Sequence, residues 1–392
     1  MTSHTSHPTT LPATTARTVI ANHRVDPTEV RADSGGAVLA FHRTLPDYAP
    51  SPLVSAPALA RRLGVAAVNV KDESTRLGMP SFKILGASWA TYRAIVDRLG
   101  LDAADLLGIS ELADLLEGHG LTLVAATDGN HGRAVARMAR LLGQSAHILV
   151  PRDMVSERID AIRSEGATVT VIEGNYDEAV AASAALADDT HVVISDTSWD
   201  GYQQVPGWVI DGYHTIVEEV LEELALRGAE PPTVVVTQMG VGAFATAMIR
   251  GFVPRGARII GSEPTRAACI LESIRLGECV HLDGALDSIM AGLNCGTPSP
   301  LAWPDLLAGL HHVAAVTDED AEDAMRALAH EGVVSGESGA AGLAALLAHG
   351  PAVGLTEIDR VLVISTEGAT DRAAYRRIVG DAATLPESAD LP

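Results

Sequence analysis

An α/β architecture of parallel sheets, divided between two closely packed domains, is what this sequence predicts, and three observations carry the prediction. Eight short β-branched runs recur along the chain, at 121–127, 146–151, 168–173, 191–196, 233–240, 258–264, 312–318 and 360–367. Between them the apolar spacing turns helical: Leu85, Trp89, Tyr92, Val96 and Leu99 step by fours and threes, as do Val135, Met138 and Leu142. At 392 residues the chain exceeds one ordinary core, yet no polar stretch is long enough to link independent modules. Alternating strands and helices cover both faces of a parallel sheet, and ligands then sit at the carboxyl ends of the strands.

Composition narrows the partners. Hydrophobic residues make up 47% and charged residues 20%, a balance that supports a large buried core and argues against wholesale disorder. With 28 basic against 50 acidic residues the net charge is −22, which disfavours nucleic acid and anionic membranes and leaves a small molecule as the expected partner. The three cysteines, Cys269, Cys279 and Cys295, show no metal-ligand spacing and are too few to staple the fold, so no metal is expected and a reducing cytoplasm is the default compartment. There is no run of about 18 apolar residues, and residues 1–20, rich in Ser, Thr, Pro and His at their start, are expected to form a mobile tail.

Four short segments can carry chemistry. Ser81-Phe82-Lys83-Ile84-Leu85-Gly86 opens an amphipathic helix with a lysine among apolar neighbours. If the Lys83 amine is buried, desolvation lowers its pKa and frees the nucleophile a Schiff base needs; the alternative is a side chain that snorkels to water. Thr127-Asp128-Gly129-Asn130-His131-Gly132 lies between a strand and a helix, where side chains and helix N–H groups meet a ligand, or where Asn130 simply caps a turn and His131 is structural. Gln238-Met239-Gly240-Val241-Gly242-Ala243 repeats that placement with small residues able to close around a phosphate, or it is a tight turn; it lacks dinucleotide-loop spacing. Ile364-Ser365-Thr366-Glu367-Gly368 ends the last strand with two hydroxyls and a carboxylate, fit for a heterocycle nitrogen or for strand-end capping. Beside these, Ser335-Gly336-Glu337-Ser338-Gly339 reads as either a helix cap or a pocket wall, with the cap favoured. The Pro- and Gly-rich stretch 292–304 reads equally as a site-lining loop or a surface connection.

Taken in this order, the segments resemble the fold-type II pyridoxal-phosphate enzymes, the tryptophan-synthase-β-like superfamily. From about residue 34 to 380 the chain resembles the diaminopropionate ammonia-lyase family within it. That resemblance also includes Asp196-Thr197-Ser198-Trp199-Asp200-Gly201-Tyr202 and Ile289-Met290-Ala291-Gly292-Leu293. Asp128 is informative, because the superfamily's dehydratases and synthases usually have serine there. Ser81, Thr237-Gln238-Met239 and the stretch 297–304 depart from the family's usual residues.

The resemblance implies two open, mostly parallel α/β domains with pyridoxal 5′-phosphate between them. The larger, cofactor-binding domain would comprise 21–94 and 231–392, and the smaller one 95–230. Lys83 would bond the cofactor covalently, Asn130 would meet its 3-hydroxyl, Gly240, Val241, Gly242 and Ala243 would hold its phosphate, and Ser365 or Thr366 would face the pyridine nitrogen. Asp128 and Asp196 would line the substrate site, where carboxylates suit the second ammonium of 2,3-diaminopropionate. The expected reaction is α,β-elimination of the D- or L-isomer to pyruvate and two ammonia, by a cytoplasmic homodimer. A serine/threonine dehydratase, a β-replacement synthase and an inactive binding protein on the same scaffold are the alternatives. Cys269 and Cys295 stand where the family can place a cysteine pair, although the sequence by itself favours unpaired thiols.

Overall fold

A computed structural model describes residues 9–13, 16–31, 36–102, 107–127, 129–174 and 176–380. Its strands, in chain order, are β1 (Thr9–Pro12), β2 (Thr18–Ala21), β3 (Leu53–Ser55), β4 (Ala67–Asp72), β5 (Thr122–Ala126), β6 (Ser145–Pro151), β7 (Thr168–Ile172), β8 (His191–Val193), β9 (Val234–Gln238), β10 (Arg258–Pro264), β11 (Val280–Asp283), β12 (Leu310–Val316) and β13 (Arg360–Ser365). All eight expected runs contain a strand. The strand at 191–196 ends three residues early, because the chain turns after Val193 and the turn is held by side chains.

The strands make a seven-stranded sheet in the order β2-β12-β10-β9-β13-β4-β3 and a four-stranded sheet in the order β7-β6-β5-β8. In the larger sheet the five central strands run parallel, and only the edges β2 and β3 are antiparallel to their neighbours. All pairings in the smaller sheet are parallel. The central strand β9 is buried at every residue, which is why Val234, Val235 and Val236 follow one another without polar alternation. One face of the larger sheet is covered by the helix Glu337–His349, which crosses β9, β10, β12 and β13.

Two expectations change. Residues 1–20 were read as a mobile tail, yet Thr9–Pro12 pairs in parallel with β11 and Thr18–Ala21 adds an antiparallel edge to β12. The polar composition hid two short edge strands that are held by backbone pairing and bury no residue fully. The segment 95–230 also does not keep to the smaller sheet. Its helix Gln204–Gly212 packs on the helix Lys83–Arg98 so closely that a side chain at Gly212 would meet the Leu85 carbonyl at 2.4 Å. Among the described residues no helix is long and apolar enough to cross a membrane.

A fully buried ionic cluster fixes the approach to Lys83. Lys71 on β4 donates to Glu219 at 2.6 Å and to the Ser51 carbonyl at 2.7 Å. Arg76, in the turn that follows β4, donates to both oxygens of Glu219 at 2.7 Å and to Glu73 at 2.7 and 2.8 Å. Two cations thus meet two anions with no exposed side-chain surface. Arg76 anchors a turn in which Leu77 takes a left-handed φ of 51°, an uncommon conformation for a side-chain-bearing residue. Burial raises the Glu219 carboxyl, but the hydrogen bonds and charges of Arg76 and Lys71 outweigh it and hold it at about 2.

Replacing Glu219 by alanine should destabilise the fold by about 3–5 kcal/mol, since it leaves buried Lys71 without a carboxylate and Arg76 with Glu73 alone; urea denaturation gives the measurement, and an unchanged midpoint would refute the assignment. In the wild-type protein the Glu219 contribution is complete above the unfolded-state value near 4.3. It is expected to drain away as the pH falls towards about 2.

Candidate active site

The site forms where strand ends from both sheets converge. After β4 and the Arg76 turn, the chain is sewn to the end of β13: the Phe82 amide donates to the Thr366 carbonyl at 3.1 Å, and the Gly368 amide donates to the Pro80 carbonyl at 2.9 Å. Lys83 is the next residue and begins its helix. Its amine donates to Asp196 at 2.7 Å, and its side chain is 25% exposed, so it is not a lysine that reaches for bulk water. Asp196 arrives from the other sheet, just past β8. Burial raises its carboxyl, yet the charges of His131, 3.9 Å away, and of Lys83 outweigh burial and hold it well below the usual carboxylate range. Tyr176 adds a long hydrogen bond to the second Asp196 oxygen at 3.4 Å.

Asn130 is the first residue of the helix Asn130–Leu141, and Gly129 occupies the cap position with φ 144°. The Asn130 side chain caps nothing. It donates instead to Glu367 at 2.9 Å, across from the smaller sheet to the end of β13. The turn before it is tied by Thr127, whose hydroxyl accepts the amides of Gly129 and Gly132 at 2.9 Å each. His131 donates from Nε2 to the Ile194 carbonyl at 2.8 Å and so braces the Asp196 segment. Asp128 lies outside the described residues.

The residues Gly240-Val241-Gly242-Ala243 join β9 to the helix Ala243–Phe252. Gly242, at φ 97°, supplies the left-handed step into that helix, and a side chain there would strike Leu306 at 2.5 Å. A side chain on Gly240 would meet the Cys295 sulfur at 3.0 Å. Both positions therefore stay bare, and the first-turn amides of the helix lack intrahelical acceptors. The stretch 292–304 is no mere surface connection: the Ser299 amide donates to the Val241 carbonyl at 2.8 Å, and its hydroxyl bonds Ser198 at 2.9 Å.

The two strand-end hydroxyls are both buried and engaged. Ser365 donates to Ser335 at 2.8 Å, and Thr366 accepts from Gln238 at 2.7 Å. Ser335 is thus site wall rather than helix cap, since Gly336 holds the cap position of the helix Glu337–His349 and no side chain caps it. Burial, followed by the nearby charges of Glu367 and Asp371, pushes the Glu337 carboxyl up to about 7. No disulfide joins Cys269, Cys279 and Cys295. At the end of β10, Glu263 accepts the amides of Ile270 and Leu271 at 2.8 Å each, but burial outweighs these bonds and pushes its carboxyl up to about 8.

The structure thus brings together Lys83, Asp196, Asn130, the glycine segment, Ser365 and Thr366. Tyr176 and Ser299 touch this set and were not named from sequence, whereas Gln238 and Tyr202 stood inside recognised motifs without a role of their own. Of the first two, Ser299 alone had a signal, the Gly- and Pro-rich composition around it. An amine, a cradle of bare amides at a helix start and strand-end hydroxyls are the groups that an aldehyde, a phosphate and a heterocycle require. The residues present therefore fit pyridoxal phosphate.

Comparison with known proteins agrees. The family model described as pyridoxal-phosphate dependent enzyme matches residues 44–367. The diaminopropionate ammonia-lyase of Escherichia coli (strain K12) is 38% identical over 351 residues, covering 85% of this chain and 87% of the relative. Crystal structures of the Escherichia coli diaminopropionate ammonia lyase superpose with TM-scores of 0.84 for the complex with D-serine and 0.82 for the complex with an aminoacrylate-PLP azomethine reaction intermediate. Each is 33% identical and covers 94% of this chain and 98% of the relative's.

Glu263 and Glu337 make a testable pH dependence. A carboxyl raised in the folded state gives stability that is full below the unfolded value near 4.3 and lost as the pH rises through the folded value. Unfolding free energy should therefore fall as the pH rises towards about 8, with Glu263 as the larger contributor. The variant Glu263→Gln should flatten that slope in urea titrations from about pH 5 to about pH 8; an equally steep slope would contradict it.

Proposed function

The chain belongs to the pyridoxal-phosphate-dependent enzymes and, within them, to the diaminopropionate ammonia-lyase family, and on that premise we propose that it eliminates ammonia from 2,3-diaminopropionate. One molecule of substrate and one of water give pyruvate and two ammonia. Pyridoxal phosphate, when bound, supplies an electron sink next to the substrate's α-carbon. Lys83 would hold it covalently, the amides of Gly240, Val241, Gly242 and Ala243 its phosphate, Asn130 its 3-hydroxyl, and Ser365 or Thr366 its ring nitrogen. It would lie between the larger domain, 21–94 and 231–392 together with the edge strand β2, and the smaller one, 95–230.

The chain's own groups then divide the work. The Lys83 amine takes the α-proton of the L-isomer. Asp128, assigned from sequence, would do so from the opposite face for the D-isomer. Asp196 pairs with the β-ammonium and exchanges it for the lysine as the carbon–nitrogen bond breaks. The single observation that carries the choice of leaving group is the Asp196 carboxyl 2.7 Å from the Lys83 amine, in surroundings that hold it well below the usual carboxylate range. An ionised carboxylate keeps the β-amine protonated so that it can leave as neutral ammonia, whereas a departing hydroxyl needs a proton donor, which a carboxyl held this low is not. That favours an amine over the hydroxyl of serine or threonine. The same premise supports a homodimer working in the cytoplasm, which sedimentation and fractionation would check.

A panel of D- and L-diaminopropionate, serine and threonine, read as keto acid and ammonia, tests the proposal. Diaminopropionate should be turned over fastest; faster pyruvate release from serine would sink it. Lys83→Ala should lose the visible absorbance of bound cofactor together with turnover. Asp196→Asn should lose roughly 100-fold or more in kcat/KM on diaminopropionate, and an equal loss on serine would remove the leaving-group role.

A further inference from the structure

Asp196 does not hold itself in place. It sits on the irregular segment beyond Val193, and that backbone is gripped on both sides of the aspartate. The Ser195 hydroxyl exchanges hydrogen bonds with the amide and carbonyl of Thr197 at 3.1 Å each. The Tyr202 hydroxyl donates to the Val193 carbonyl at 2.7 Å and accepts the Ser195 amide at 3.2 Å. One phenol thus ties the last residue of β8 to the residue immediately before Asp196. Tyr202 is fixed in turn by a tight clasp. Trp199 and Tyr202 exchange backbone hydrogen bonds at 2.9 and 3.3 Å around Gly201, whose φ is 81°, and their rings stack at 4.1 Å with 10° between planes. Burial raises the Tyr202 hydroxyl well above the usual phenol range, so it remains a donor.

We propose that Tyr202 is a positioning residue for the elimination: its hydroxyl fixes the turn that aims the Asp196 carboxylate, and so sets the preference for an amine over a hydroxyl leaving group. This rests on the role given to Asp196 above. Phenylalanine at 202 keeps the ring and its stack but leaves a buried amide and a buried carbonyl without their shared partner. The turn relieves that cost by shifting, and a charge pair at 2.7 Å is lost by displacements of about 1 Å. A β-ammonium depends on Asp196 and a hydroxyl does not, so the damage is selective.

The test compares wild-type holoenzyme with Tyr202→Phe on diaminopropionate and D-serine. The ratio of the two kcat/KM values should fall roughly tenfold in the variant. The pH midpoint of the bound cofactor's visible band should move down by roughly one unit, because a displaced carboxylate no longer favours the protonated Lys83 nitrogen. An unchanged ratio with an unchanged midpoint overturns the proposal, as does an equal loss on both substrates. If Tyr202→Phe does not fold, Trp199→Leu, which removes the stack and keeps the hydroxyl, must show the same selective loss, and an unchanged ratio there overturns it too. Wild type without activity on diaminopropionate would mark failure of the functional proposal instead, and the band midpoint would still report on Tyr202.

Discussion

A lysine amine that leaves bulk water needs a partner, and here the partner comes from another sheet. Lys83 follows β4 and Asp196 follows β8, and they meet at 2.7 Å. The placement of the two sheets is therefore tied to the contact that the proposed chemistry would use, and a change in one disturbs the other. A second link of the same kind runs between Asn130 and Glu367, at 2.9 Å. Each link is a hydrogen bond with a charged member, stronger and more directional than a neutral one. Two such links at the carboxyl ends of parallel strands define the opening between the sheets more narrowly than apolar packing does, because packing tolerates a slide that a 2.7 Å bond does not.

The support behind Lys83 is costly by design. Lys71, Arg76, Glu73 and Glu219 are all removed from water, and such a cluster is worth little as net stability when compared with apolar residues. What it supplies is geometry. Arg76 reaches both Glu73 and Glu219 and leaves its turn one arrangement, with Leu77 in a left-handed conformation that an apolar contact would not enforce. The helix that carries Lys83 then packs on Gly212 and Tyr213 without slack: a side chain on Gly86 would meet the Tyr213 ring at 2.5 Å. The start of the helix is set from one side by charge and along its length by close packing.

How much of this was legible depended on what kind of fact it was. The buried strands announced themselves, since Val234, Val235 and Val236 have both faces covered and need no polar alternation. β4 did not, because Asn69, Lys71 and Asp72 interrupt it, and Lys71 is buried only by virtue of Glu219, some 148 residues away in sequence. The motifs at Lys83, Asn130, Gly240 and Ser365 were visible because each sits at a helix start or a strand end, where side-chain identity and local structure coincide. Their partners were not. That Asn130 would meet Glu367 rather than cap its helix, or that Ser335 would meet Ser365, follows only once the sheets are placed. Tyr202 was visible in a motif, but its task is done by a hydroxyl bonded to backbone, and backbone leaves no trace in the sequence.

Charge presents the remaining puzzle, since a chain of net charge −22 must hold an anionic cofactor. On the proposed assignment, the glycine segment would solve it without a cation of its own: Met239-Gly240-Val241-Gly242-Ala243-Phe244 contains no charged side chain. Attraction there must come from bare amides and the positive end of the helix Ala243–Phe252, fields that act within a few ångströms and fade beyond the first turn. Such a site distinguishes a phosphate by shape and hydrogen bonding rather than by long-range pull. The overall negative field is then free to favour a substrate that carries an extra ammonium group. Acidity that looks adverse to the cofactor suits the approach of an amino acid with two amines, and the two demands are met at different distances from the same strand ends.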